Sequence, residues 1–153
     1  MSQTLSQQLS DAIKAAMRAK DSERLGTLRF LQAAVKQKEV DERRELTDAD
    51  ITAIIEKQVK QRRESIAAFE KAGRTETAAQ ETAELVVLQA FLPQQASPED
   101  ISSAIDKALA TVSDQGVTGA PAMGKVMGIL KTELAGRADM TAVSAQVKQR
   151  LMP

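Results

Sequence analysis

Apolar side chains recur every three or four residues along most of the chain, which is the spacing of one face of an α-helix. The pattern starts after Thr4-Leu5-Ser6-Gln7, which has the form of a capping box, and predicts a first helix that ends near Ala19. Asp21 is a suitable N-cap for a second helix, close enough to form a hairpin with the first. No segment alternates as a half-buried strand does, so we predict an all-α protein.

A long third helix is predicted to open at Thr47 and to end at Gly73, a residue that suits the left-handed position after a helix C-terminus. A fourth helix follows over about residues 76–92. Its end is crowded with apolar side chains from Leu85 to Leu92, and we expect this end to be buried on several sides. Together these helices predict an N-terminal domain over residues 1–92, made of a hairpin and a long helix.

The pattern breaks at residues 92–98, where Pro93 stops one helix and Ser97-Pro98, with Asp100 three positions after Ser97, starts another. Three helices are predicted beyond the break. They cover residues 98–112, residues 121–135 and the segment from Asp139 to about Leu151. We therefore predict a small C-terminal three-helix domain over residues 93–153.

Aromatic residues make up only 2% of the chain, so both cores must be built from aliphatic side chains. Phe30, Phe69 and Phe91 all lie within apolar runs, and we predict that they are core residues. This prediction weighs against recognition of single-stranded RNA base by base, which uses exposed aromatic rings. Recognition of a folded RNA by shape and backbone stays open.

The chain has no His and no Cys. These absences remove the commonest general base at neutral pH, the Ser-His and Cys-His nucleophile pairs and most zinc sites. Chemistry through carboxylates or a Ser-Lys pair is left, but no motif with a recognisable spacing is present. We assign no catalytic residue, no cofactor and no metal ligand.

The lack of Cys also argues against a secreted disulfide framework. The N-terminus has no basic segment followed by an apolar one, and no run approaches the roughly 20 apolar residues that a membrane helix needs. We expect a cytoplasmic protein with no membrane contact. The formal net charge is zero, with 21 basic and 21 acidic residues, which argues against a general polyanion binder and against DNA as a partner.

Charge is uneven near the C-terminus. The segment from Pro121 onward contains five basic and two acidic residues, which gives it a formal charge of +3. Lys125 lies near the predicted start of helix six, where the helix dipole disfavours a cation, and it follows Gly124, a poor helix residue. A phosphate at this helix start would explain both choices. Close packing of another helix on Gly124 and Gly128 would explain the glycines equally well, and both interpretations stay open.

Two further observations concern charge. In the turn Gly136-Arg137-Ala138-Asp139, helix capping explains the Gly and the Asp but not Arg137. Arg137 would complete an anion site if it lay near Lys125. On the third helix, basic residues are interleaved with Glu56 and Glu64, so we favour solvated ion pairs along that helix. These basic residues are Lys57, Lys60, Arg62 and Arg63.

Several of these segments together resemble the YqeY-like proteins. The stretch Val59-Lys60-Gln61-Arg62-Arg63-Glu64-Ser65-Ile66, continued by Phe69-Glu70-Lys71-Ala72-Gly73-Arg74, is similar to the hallmark of that family. Phe91-Leu92-Pro93-Gln94-Gln95, Met123-Gly124-Lys125-Val126-Met127 and the Gly136–Asp139 turn also match, in the expected order. Met140 departs from the pattern, since a small residue or Pro is expected there.

The second half is also similar to the C-terminal tail domain of GatB, a subunit of the glutamine-dependent tRNA amidotransferase. The resemblance implies contact with tRNA or another structured RNA, without transamidation by this chain alone. It places the RNA contact on Lys125 and Arg137. We add Gly124 because of the possible phosphate site at the helix start, and Lys131 and Lys148 on charge alone. Two alternatives stay open: an accessory component of the amidotransferase, a carbon–nitrogen ligase active only with catalytic subunits, and a helical protein-interaction module.

Overall fold

The computed structural model describes residues 3–152. Over this range the chain forms α-helices and no strand, which confirms the all-α prediction. The chain divides into two compact units, Met1–Leu92 and Pro93–Pro153, called here the first unit and the second unit. The helices are α1 (Leu5–Arg18), α2 (Ser22–Glu42), α3 (Asp48–Lys71), α4 (Thr75–Gln89), α5 (Pro98–Asp114), α6 (Ala120–Glu133) and α7 (Met140–Leu151).

Most helix starts are set by side-chain caps, as the sequence predicts. Thr4, Thr47 and Ser97 each form a reciprocal capping box with the residue three positions later. Asp21 accepts a hydrogen bond from the backbone N–H of Arg24, and Asp139 accepts one from that of Thr141. Each cap satisfies an amide that has no partner within the helix.

Helix ends agree less closely with the pattern. Gly73 has φ +76°, so it supplies the left-handed residue after α3, as predicted. Helix α4 ends at Gln89, three residues before the predicted Leu92. Helix α6 spans Ala120–Glu133, one residue earlier at its start and two residues shorter at its end than the predicted 121–135.

The first unit places the α1–α2 hairpin against α3 and α4. The backbone N–H of Leu5 donates to Asp48 Oδ1 at 3.0 Å, which ties the start of α1 to the start of α3. The buried core of this unit is entirely aliphatic, as the composition requires. It consists of Leu9, Ile13, Ala16, Leu28, Leu31, Val35, Leu46, Ile51, Ile55, Val59 and Leu88.

The second unit has its own core where α5, α6 and α7 meet. Helix α6 packs against both other helices, so it has one buried side and one free side. The core residues again have no aromatic ring among them. They are Ile105, Ala108, Val112, Ala122, Val126, Leu130, Leu134, Val143 and Val147.

Two predictions of burial are wrong. The side chain of Phe30 is 60% exposed, although it lies in an apolar run. It is displaced by about 160° around the helix from Leu28, whose side chain is fully buried. Val86 in the crowded end of α4 is equally exposed, so that end is buried on one side only. In both cases a run of apolar residues exceeds what one helix face can bury.

No helix within residues 3–152 combines the length and the low polarity that crossing a membrane requires. In the same range, acidic side chains nowhere gather in a group of three or more that could hold a metal ion.

Candidate functional site

Four of the residues singled out in the sequence lie on α6, on the side away from the core. Ala122, Val126 and Leu130 form the buried stripe of this helix. At about 100° per residue, Gly124, Gly128 and Lys131 fall together on the opposite side, and Lys125 flanks Gly128. All four are exposed. We call Gly124, Lys125, Gly128 and Lys131 the glycine strip.

The glycines of this strip do not serve packing within the second unit. A Cβ atom added at Gly124 or at Gly128 would meet no neighbouring atom within 4 Å. Each glycine costs the helix up to about 1 kcal/mol relative to Ala. No helix of the second unit packs on Gly124 or Gly128, so no contact within that unit explains the two glycines. Packing by a helix from elsewhere stays an open interpretation.

The helix dipole acts on Lys125 only weakly. Helix α6 begins at Ala120, so Lys125 is its sixth residue and lies in the second turn. The effect of the helix dipole falls off within the first turn. Lys125 and Lys131 form no salt bridge within residues 3–152. Their charges are therefore not neutralised by described side chains, and they lie beside helix backbone that no side chain covers at the two glycines.

Arg137 has a structural task in the turn between α6 and α7. Its Nε donates to the carbonyl oxygen of Gln94 at 3.0 Å, and its own carbonyl accepts from the backbone N–H of Ala96 at 2.8 Å. The side chain of Gln95 donates to the carbonyl of Gly136 at 2.9 Å. These bonds fasten the segment before α5 to the turn, which explains why an Arg stands there.

Arg137 and Lys125 line two depressions that share Glu133 as a lining residue. Arg137 lies beside Asp100 and Lys107, whereas Lys125 lies beside Gly128 and Thr132. The pKa of Asp100 is lowered, first by the hydrogen bonds from Ser97 and further by the positive charge of Arg137. A shared anion site at Lys125 and Arg137 stays a prediction.

Lys148 is exposed in the last turn of α7. The neighbouring Arg150 instead binds within the unit, pairing with Asp106 and donating to Ser102 Oγ at 2.8 Å. No contact within residues 3–152 brings Lys148 to the glycine strip. Of the five predicted residues, Gly124, Lys125 and Lys131 therefore form one surface.

In the first unit, the ion pairs of Arg62 differ from the solvated pairs along α3 that the sequence predicts. Its Nη1 lies 2.9 Å from Glu81 Oε2 and also contacts Glu84, so both of its carboxylate partners belong to α4. The side chain of Arg62 is only 17% exposed. The ion pairs of this partly buried Arg position α4 against α3. The spacing of residues along α3 does not reveal this role, because the partners lie on another helix.

Sequence reasoning missed a cavity beside Arg62. It has a volume of about 200 Å³, and we call it the Gln58 cavity. Gln58 is 7% exposed, and its Oε1 atom is buried without a hydrogen-bond partner among the described residues. A signal for it does exist in the sequence, because a polar Gln occupies the stripe of Ile51 and Ile55. The lining residues are Phe30, Gln58, Gln61, Arg62, Ser65 and Glu81.

The stretch that resembles the family hallmark includes Gln61, Arg62 and Ser65 from this cavity. A sequence model of the family described as Yqey-like protein matches residues 6–151, which is nearly the whole chain. The chain belongs to the YqeY-like family. Membership in this family confirms the resemblance found in the sequence motifs. It does not by itself assign an activity.

Curated relatives of this YqeY-like chain come from fungi. The protein of Pyrenophora tritici-repentis named "Altered inheritance of mitochondria protein 41, mitochondrial" is 30% identical over 138 residues, covering 90% of this chain and 75% of the relative. Proteins of the same name from Eremothecium gossypii and Vanderwaltozyma polyspora are 38% and 32% identical. They match 64% and 66% of this chain, which spans 55% and 56% of their lengths.

The prediction of a cytoplasmic location is contradicted by these relatives, because their names describe mitochondrial proteins. The absence of Cys is compatible with the cytoplasm and with the interior of an organelle alike, so it does not decide between them.

Proposed function

We propose that this YqeY-like protein is an RNA-binding accessory protein that contacts the backbone of tRNA or another structured RNA through the glycine strip. The observation that carries the proposal is the exposed pair Gly124 and Gly128 between Lys125 and Lys131. Two helix-weakening residues that meet no neighbouring atom stand beside two lysines that form no salt bridge within residues 3–152. The similarity of this segment to the GatB tail supports the same assignment.

The chemistry suits a phosphate backbone better than a base edge. Glycines expose the helix backbone without a side chain in the way, so a phosphodiester strand can approach closely. The lysines supply positive charge on either side, and phosphate contacts of this kind position an RNA without reading its sequence. The strip offers no aromatic ring on which a base could stack. Binding should therefore follow RNA shape and charge.

Arg137 enters this proposal as a positioning residue. Its bonds to Gln94 and Ala96 hold the turn that ends α6. Removing it should disturb the second unit itself, so a loss of RNA binding on Arg137→Ala would be ambiguous. The lysines of the strip are exposed and can be removed without breaking a contact within the described residues.

The test is a salt titration of tRNA binding by fluorescence anisotropy. Each lysine that neutralises a phosphate should contribute about 1 to the slope of log affinity against log salt. The double variant Lys125→Ala/Lys131→Ala should therefore bind more weakly and lose about 2 from this slope. The double variant Lys14→Ala/Lys36→Ala changes the charge equally at exposed sites of the first unit and should bind as the wild type does.

Equal weakening by both double variants would show that net charge alone governs binding and would contradict a site on α6. Absence of salt-dependent binding to tRNA would reject the RNA function altogether. The role as an amidotransferase component stays a separate hypothesis, to be tested by co-purification with a glutaminase subunit. No contact within the described residues favours it over the RNA proposal.

A further inference from the structure

Helix α2 carries apolar side chains on two opposite sides. Leu28, Leu31 and Val35 form the side that faces the core of the first unit. On the other side, mostly apolar or small residues recur at intervals of four, three, four and three positions, over about 21 Å of helix. A surface helix usually presents charged and polar residues there. We call this second set the α2 stripe, and it consists of Gly26, Phe30, Ala33, Gln37 and Val40.

The α2 stripe is uncovered in the first unit. All five of its residues are exposed. Phe30 is 60% exposed, and Val40, at 71%, is the most exposed large apolar side chain within residues 3–152. Helices α1, α3 and α4 contact α2 without burying these two side chains. Covering them with another apolar surface would remove them from water and would favour association.

The spacing of the α2 stripe is the heptad repeat of a coiled coil. Phe30 and Gln37 occupy a positions, and Gly26, Ala33 and Val40 occupy d positions. In a two-stranded coiled coil, the a and d side chains of one helix insert between those of the other. A polar residue at one a position sets the register of the pair. The spacing therefore fits a second helix with the same repeat.

The charges beside the α2 stripe differ between its two edges. Arg29 and Lys36 lie on one edge, and Ala34 and Asp41 lie on the other. Arg29 and Lys36 form no salt bridge within residues 3–152. Asp41 Oδ1 accepts a hydrogen bond from Gln37 Nε2 at 3.0 Å, which leaves Oδ2 for a further donor. One edge is therefore basic, and the other carries an exposed carboxylate.

These edges are complementary to a second copy of the chain in one orientation only. In an antiparallel pair, like edges meet, so the basic edges of the two copies would repel each other. In a parallel pair, opposite edges meet, and a residue before an a position faces the residue five positions later on the other helix. Lys36 then faces Asp41 of the second copy, and two-fold symmetry forms this pair twice. Arg29 faces Ala34, which adds no repulsion.

We propose that the chain forms a parallel two-fold dimer through the α2 stripe. Phe30 and Val40 are buried against the same residues of the second copy, and Lys36 pairs with Asp41 across the interface. The stripe covers only about two heptads, which is at the lower end of interface sizes, so the dimer is reversible. The proposal does not rest on RNA binding, because the stripe belongs to the first unit and the glycine strip to the second.

The test is sedimentation equilibrium of the full-length chain from about 5 to 500 μM. The average mass should rise with concentration from 16.5 kDa towards twice that value and no further. Val40→Asp places like charges at a d position where the two copies meet and should raise the dissociation constant more than about tenfold. Val86→Asp is the matched control, because Val86 is a 60% exposed Val on α4, and it should leave the dimer unchanged.

An exchange of charges tests the orientation. Lys36→Glu sets two acidic groups against each other in both pairs and should weaken the dimer about tenfold. Lys36→Glu combined with Asp41→Lys restores opposite charges and should return the dissociation constant to within about twofold of the wild-type value. Circular dichroism at 222 nm will show that each variant is folded. None of these changes touches the glycine strip, so tRNA affinity measured below the dissociation constant of the dimer should stay the same.

Three results would overturn the proposal. A monomer at every concentration would leave the α2 stripe to a helix of another protein. Equal weakening by Val40→Asp and Val86→Asp would place the interface elsewhere. A double exchange that fails to restore the dimer would exclude the parallel pairing of Lys36 with Asp41. Loss of tRNA binding alongside normal dimer formation would reject only the RNA proposal.

Discussion

Replacing Gln58 by Met should make the protein more stable. Gln58 is 7% exposed, and its Oε1 atom is buried without a hydrogen-bond partner among the described residues. Leaving a buried polar group unsatisfied costs about 1–3 kcal/mol. Met is close to Gln in length and flexibility and has no strong hydrogen-bonding group, so it fills the same space without that penalty. The free energy of unfolding should therefore rise by about 1–3 kcal/mol.

The measurement is urea denaturation followed by circular dichroism at 222 nm. For Gln58→Met the midpoint should move to higher urea while the slope m stays constant, because the surface exposed on unfolding is nearly unchanged. Gln80→Met is the matched control, since Gln80 is an exposed Gln of the same unit. A surface substitution of this kind should change stability by less than about 0.5 kcal/mol.

A fall in stability for Gln58→Met, or a rise no larger than that of Gln80→Met, would refute the reasoning. It would mean that Oε1 accepts a hydrogen bond in solution, for instance from an ordered water, and that its burial carries no free-energy cost.

Other predictions concern the second unit. Gly128→Ala should stabilise α6 by up to about 1 kcal/mol because the added Cβ meets no neighbouring atom. Gly116→Ala should destabilise the second unit because Gly116 has φ +75°. In thermal melts the melting temperature should rise for the first variant and fall for the second. Ser97→Ala should cost about 1 kcal/mol in urea denaturation by removing the cap of α5, and an unchanged midpoint would contradict that role. The pKa of Asp100 in the folded protein is below its ordinary value of 3.8. The ionised carboxylate therefore contributes to stability above the unfolded pKa, and this stability is lost as pH falls through the folded pKa. Asp100→Asn should therefore flatten the acid side of the stability profile, and an identical profile would exclude the effect.

Local signals predicted the helices well because their physics is local. A Thr, Ser or Asp cap bonds to amides only two or three residues away, so Thr47 and Ser97 mark helix starts without reference to the rest of the fold. Gly73 marks the end of α3 for a similar reason, since the left-handed conformation penalises a side chain at that residue alone. The buried stripes follow from helical period.

The candidate sites were predicted only in part. Gly124, Lys125 and Lys131 share a face because they lie on one helix, where spacing determines direction. Arg137 lies in a turn, and its bond to Gln94 joins residues 43 positions apart, which no local pattern encodes. Phe30 was predicted to be core because it is apolar, but its position around α2 places it beside a cavity.

What the sequence by itself determined is the family, the all-α class and the absence of the commonest catalytic side chains. These depend on residue identity and on spacing within single helices. Only the tertiary structure decided that the α6 glycines face open space and that Arg62 pairs with carboxylates of α4. It also decided that Gln58 has a buried oxygen with no donor among the residues that the structure describes. Each of these depends on which helices meet and at which residues, because burial and pairing belong to contacts between helices and not to the order of residues within one.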